Sequence, residues 1–71
     1  MRADELEARL EVRVGRGRWF FASDAPGLMT RRGYQAVETL LSRRVLERRR
    51  LDADDPRRVT SRRFEYMLRP R

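Results

Sequence analysis

From Thr30 to Leu68 the chain carries one amphipathic segment followed at once by an arginine-rich segment of a different period, and few folds accommodate that order. In Thr30-Arg-Arg-Gly-Tyr-Gln-Ala-Val-Glu-Thr-Leu-Leu-Ser-Arg-Arg44, residues Tyr34, Val37, Leu40 and Leu41 recur three or four apart. That spacing predicts a helix with one apolar face and one polar, basic face. In Val45-Leu-Glu-Arg-Arg-Arg-Leu51 and Arg63-Phe-Glu-Tyr-Met-Leu68 the apolar residues alternate instead, with Leu46 on the first run and Phe64, Tyr66 and Leu68 on the second. Period two predicts a pair of strands. Asp52-Ala-Asp-Asp-Pro-Arg-Arg58 between them is a loop by composition, since Asp and Pro both favour turns. The expected class is therefore α+β, a helix closing onto a hairpin.

The first thirty residues read less uniformly. Leu6, Leu10 and Val14 recur at four-residue spacing, and Asp4, Glu5 and Glu7 sit where a helix N-terminus favours acids. A helix from Ala3 to about Arg13 is the expectation, although Leu10-Glu-Val-Arg-Val14 also alternates as a strand would. Gly15-Arg-Gly-Arg18 breaks the chain into a turn. Trp19-Phe-Phe-Ala22 reads as a short strand or apolar plug belonging to the core. Three adjacent aromatics cannot all point inward from a strand, so Phe20 is expected to face elsewhere, as an interface or a stacking surface. Ser23-Asp-Ala-Pro26 then predicts a short helix reaching Leu28 or Met29, with Ser23 as its cap and Pro26 in its first turn. Thr30 caps the longer helix that follows.

A chain of 71 residues makes one domain, residues 1–71. At this size about 60% of the unfolded surface is buried, a marginal core that a second copy of the chain would reinforce, so a homodimer is expected. With no Cys and no His there is no disulfide and no structural zinc site. All 18 basic residues are Arg, against 11 acids, for a net charge of +7. That excess favours a polyanionic partner, and the planar guanidinium fork suits phosphate and guanine. No apolar run approaches the ~20 residues that span a bilayer. The opening Arg2-Ala-Asp-Glu-Leu-Glu7 lacks a signal-peptide pattern, so a cytoplasmic protein without membrane partner is expected. No His or Cys is present for base or nucleophile work, and no glycine-rich phosphate loop precedes a Lys. Neither an enzyme, nor a cofactor, nor a small-molecule ligand is expected. Asp52, Asp54 and Asp55 fit no calcium-loop spacing and are read as partners of Arg57 and Arg58.

In this order of elements the chain resembles the winged helix-turn-helix family, from about Ala3 through Leu68. Its likeness is to MarR-type bacterial repressors, at Val45-Leu-Glu-Arg-Arg-Arg50 with Asp52-Ala-Asp-Asp-Pro-Arg-Arg58. Arg32-Gly-Tyr-Gln-Ala-Val-Glu-Thr-Leu40 matches the recognition-helix pattern, and Phe64-Glu-Tyr-Met-Leu68 looks like the return strand of a wing. The family usually has Gly where this chain has Arg44. The resemblance implies three helices with a C-terminal β-hairpin wing, and sequence-specific binding of double-stranded DNA by a small transcriptional regulator. It does not extend to ligand sensing, because the long flanking helices of that family find no counterpart. It further implies that the helix of about 30–44 enters the major groove. Thr30, Arg31, Arg32, Tyr34, Gln35 and Thr39 would then face the DNA, Arg reading guanine and Gln adenine. The wing of about 45–69 would set Arg48, Arg50, Arg57, Arg58, Arg62 and Arg63 on the backbone. Gly33 would permit close approach of the preceding helix or of a DNA backbone. Two other readings stay open: an RNA- or ribosome-associated basic domain, and a protein–protein interaction module.

Overall fold

A computed structural model describes residues 1–29, 33–59 and 62–71. Helix α1 (Ala3–Val14) leads through a glycine turn to strand β1 (Trp19–Phe20), then a single turn of 3-10 helix (Ala22–Asp24). Helix α2 (Tyr34–Ser42) and the strands β2 (Leu46–Arg50) and β3 (Phe64–Leu68) complete the fold. The sheet is antiparallel in the order β1-β3-β2. Across the hairpin Leu46 lies opposite Leu68, Arg48 opposite Tyr66, Arg49 opposite Glu65 and Arg50 opposite Phe64.

The expected three-helix winged helix-turn-helix does not form. Among the described residues there are two α-helices packed on a three-stranded antiparallel sheet, and no third α-helix. The segment expected to form a short helix from Ser23 to Leu28 or Met29 closes one 3-10 turn and stops. Phe21, not Ser23, holds the N-cap position, and the Asp24 carboxylate three residues on accepts the Phe21 backbone N–H at 2.9 Å. Ala25, the residue before Pro26, has already left the helical region, at φ −126° and ψ 64°. Gly27 then turns to a φ of 81°, a left-handed conformation that ends any helix.

Helix α2 is also shorter than expected. It begins at Tyr34, with Thr30, Arg31 and Arg32 outside the described residues, and ends at Ser42 rather than Arg44. Its C-terminus is closed by Arg44 N–H donating to the Leu41 carbonyl and Val45 N–H donating to the Leu40 carbonyl. Arg44 occupies the left-handed position of that closure, with φ 58°. Glycine is the residue usually found there, since a Cβ costs roughly 1 kcal/mol in this conformation. At the other end, Gly33 has a specific reason to be glycine: a Cβ would come 2.5 Å from the Leu28 carbonyl oxygen. The close approach foreseen at Gly33 is thus made by the chain's own backbone.

The core follows the periodicities. Leu6 and Leu10 of α1 meet Ala36, Val37 and Leu40 of α2 over Phe20, Leu46 and Leu68 of the sheet. Leu6, Leu10, Leu40, Leu46 and Leu68 are fully buried. Each contributes about 1.5–3 kcal/mol of apolar transfer free energy, and truncation of one to Ala costs about 2–5 kcal/mol. The aromatic trio is arranged in the reverse of the expected way. Phe20 is buried in the core, while Trp19 and Phe21 lie half-buried on the opposite side of β1. With a two-residue strand, only the middle ring can point at the helices.

Among the described residues no helix is long and apolar enough to cross a membrane.

Candidate nucleic-acid interface

The sheet presents two unlike faces beyond the core, because its side chains alternate. On the face away from the helices stand Trp19, Met67, Glu47, Arg49 and Glu65. The Glu65 carboxylate is only 3% exposed and accepts from Arg49 Nε at 2.9 Å and from Arg57 at 3.0 and 3.2 Å. Arg49 also lies 3.9 Å from the centroid of the Trp19 ring, a cation–π stack. Arg57 binds Asp55 at 2.9 Å as well, so one guanidinium clips the loop to the strand. That hydrogen bond, aided by the Arg57 backbone N–H, holds the Asp55 carboxyl below its ordinary value. Asp55 first, and then Glu65, raise Arg57 in return, against the cost of desolvation. A buried carboxylate with two cations is satisfied, and its cations are already engaged.

The far end of the hairpin differs. Arg50 closes β2, and Arg58, Arg62 and Arg63 follow in the loop before β3. None of these four makes an ion pair with a described carboxylate, although every Asp and Glu of the chain is described. Arg58 and Arg63 line one shallow depression with Ala53 and Val59. Arg63 is tied to the strand end through its carbonyl, which accepts the Leu51 N–H at 2.9 Å. Arg62 lies 5.1 Å from the Phe21 ring centroid. Arg48 is held loosely, 3.9 Å from Glu38 of α2. Four guanidinium groups without an ion pair, within one loop and its strand ends, give this end of the hairpin an excess of positive charge.

The residues expected at the interface are therefore divided. Arg50, Arg58, Arg62 and Arg63 all belong to the loop end of the hairpin, where Arg58 and Arg63 share one depression, with Arg48 further along β2, whereas Arg57 is engaged with Asp55 and Glu65. Of the three loop aspartates only Asp55 pairs with an arginine among the described residues, and its partner is Arg57, not Arg58. On α2, Tyr34 is 60% exposed and Gln35 is exposed. Thr39 is less available, since its hydroxyl donates to the Gln35 carbonyl at 2.8 Å. The basic helix face is not found on α2 itself: residues 34–42 contain one acid, Glu38, and no base. Arg31 and Arg32, which carried that expectation, lie outside the described residues, as does Thr30.

Three participants are not marked by any local pattern. Glu65, Arg49 and Trp19 organise the paired face, and only the strand register brings them together. The one signal in the sequence is the placement of Glu65 between Phe64 and Tyr66, an acid opposite an arginine run.

β2 is an edge strand. Val45 and Leu51 bond to Arg69 and Arg63 across the hairpin, so by alternation the backbone groups of Leu46, Arg48 and Arg50 point outward. Two arginines along that edge discourage pairing with a second strand.

Comparison with protein-family models, with curated proteins and with solved structures finds no match to this chain.

Proposed function

We propose that this protein binds nucleic acid, in the first place double-stranded DNA, through the end of its β-hairpin. The observation that carries the reading is the separation of charge on the hairpin itself. Arg49 and Arg57 are consumed by Glu65, while Arg50, Arg58, Arg62 and Arg63 have no ion partner among the described residues. Bound phosphates would supply the missing anions, each accepting from a guanidinium fork. On this reading the hairpin end supplies affinity and α2 lends Tyr34 and Gln35 to base edges. The role is that of a small DNA-binding regulator acting in the cytoplasm.

Fluorescence anisotropy with a labelled duplex at several salt concentrations tests this. Four phosphate contacts predict a loss of affinity on the order of 10²-fold between 50 and 200 mM salt. Arg58→Ala and Arg63→Ala should each flatten the salt slope by about one, on specific and random duplexes alike. Arg9→Ala, which removes only the exposed pair with Glu5 on α1, should leave it unchanged. Salt slopes identical in all three variants would refute the assignment. Equal affinity for duplex RNA would move the partner from DNA to RNA.

A further inference from the structure

The most exposed phenylalanine ring of the hairpin stands beside Arg48 and Arg50. Phe64 opens β3, is 39% exposed, and lies directly opposite Arg50 on β2. The Arg48 guanidinium sits 5.2 Å from its ring centroid. Along this face of β3 burial falls from Leu68, which is fully covered, through half-buried Tyr66 to Phe64. Tyr66 in turn lies 6.1 Å from Phe20 in the core. The aromatic row therefore starts in the core and emerges at the surface beside the cations. Core packing does not account for the exposed end of that row, and phosphate contact has no use for a phenyl ring. A planar nucleobase has use for both: it stacks on an aromatic ring or a guanidinium plane while its phosphate meets a cation.

We propose that Phe64, flanked by Arg48 and Arg50, is a stacking site for one unpaired base of a nucleic acid. The proposal rests on the nucleic-acid reading above and adds the kind of target. A base inside an intact duplex is stacked on its neighbours and cannot reach the ring. A bulged nucleotide can, at little cost, because it has no partner to lose. Arg50 has no carboxylate partner among the described residues, and the only one near Arg48 is Glu38 at 3.9 Å. Both are placed to take the phosphates on either side of the extruded base.

The test uses the full chain and three DNA probes in an anisotropy titration: a fully paired duplex, the same duplex with one bulged thymidine, and the same bulge carrying an abasic residue. The bulged duplex should bind on the order of tenfold more tightly than the other two, as expected for one stacked base. Phe64→Leu should abolish that preference while leaving affinity for the paired duplex unchanged, and Phe64→Trp should retain it. Thermal melting by circular dichroism establishes that each variant is folded. If the paired duplex binds but the bulge adds nothing, the stacking site is wrong and the nucleic-acid reading stands. The stacking site is equally wrong if the abasic bulge binds as well as the thymidine, or if Phe64→Leu keeps the preference. Failure to bind any of the three probes would overturn both.

Discussion

Arg16 and Arg63 are the same residue type, each in a loop beside a secondary-structure element, yet they do opposite things. Arg16 reaches Glu7 at 2.7 Å and Glu11 at 2.9 Å and donates to the Arg69 carbonyl, so it is largely covered and binds the C-terminal segment to α1. Arg63 is exposed and meets no described carboxylate. The two faces of the hairpin repeat the contrast at shorter range. Arg49 and Arg50 are neighbours in sequence, but alternation sends one to Glu65 and Trp19 and the other to the surface beside Phe64. A chain of 18 arginines is thus not a uniform polycation. Position of the carboxylates decides which arginines hold the fold and which are left for a partner.

The strongest consequence should follow from removing the carboxylate that divides the hairpin. Glu65→Ala deletes a buried acceptor and leaves two cations without it, and should lower stability by about 2–3 kcal/mol in a denaturant melt. In the fraction that remains folded, Arg49 and Arg57 become available to phosphate. Affinity for a random duplex should therefore rise roughly several-fold, with a steeper salt dependence. A variant that loses stability and also loses DNA binding would show that the two faces do not act separately.

A smaller effect is expected from acid. The Asp55 carboxyl is held below its ordinary value of 3.8 by Arg57, and Glu11 below 4.5 by Arg16. A lowered folded-state pKa means that the ion pair stabilises the protein above the ordinary carboxylate range. That contribution is lost as pH falls below 3.8 and through the depressed value. Melting temperatures measured from pH 5 downward should fall less steeply for Asp55→Asn than for the wild type. Equal slopes would mean that the Asp55–Arg57 ion pair contributes nothing to folding.

A weaker effect is expected at a position outside the hairpin end. Arg44 also lacks a carboxylate partner among the described residues, but it precedes the opposite end of β2 and sits at φ 58°. Arg44→Gly relieves the left-handed Cβ and should stabilise the protein by about 0.5–1 kcal/mol. Its duplex affinity should stay within twofold of wild type, because Arg44 lies at the other end of β2 from Arg50, Arg58, Arg62 and Arg63. A large drop in affinity would extend the interface to the base of the hairpin.

What could be read without coordinates divides along the range of the interactions. The four-residue spacing of Leu6 and Leu10, the turn at Gly15, and the alternation of Leu46, Tyr66 and Leu68 each report a local period, and each corresponds to an element or a buried face. The expectation of a third helix rests on a cap residue and a tolerated proline, Ser23 and Pro26. Those signals start a helix but do not lengthen it, and Ala25, held before Pro26, leaves the helical region after one turn. Phe20 is expected outward because three rings compete for one side. Which ring wins depends on where β3 pairs, and that is not a local property. The same holds for Phe64, expected on the apolar face with Tyr66 and Leu68. It does share that face, but it lies past the point where burial stops.

From composition and period alone came a basic polypeptide without cysteine or histidine, helical near its start, with a hairpin near its end. These follow from charge count and from side-chain repeats of 3.6 and 2, which every residue carries with it. Only the packed fold decided that the α-helices number two among the described residues, that Glu65 draws in Arg49 and Arg57, and that Arg50, Arg58, Arg62 and Arg63 are left without a carboxylate at the loop end of the hairpin. Ion pairing across a sheet depends on register and on distances of a few ångströms, and neither is encoded in the order of residues taken a few at a time.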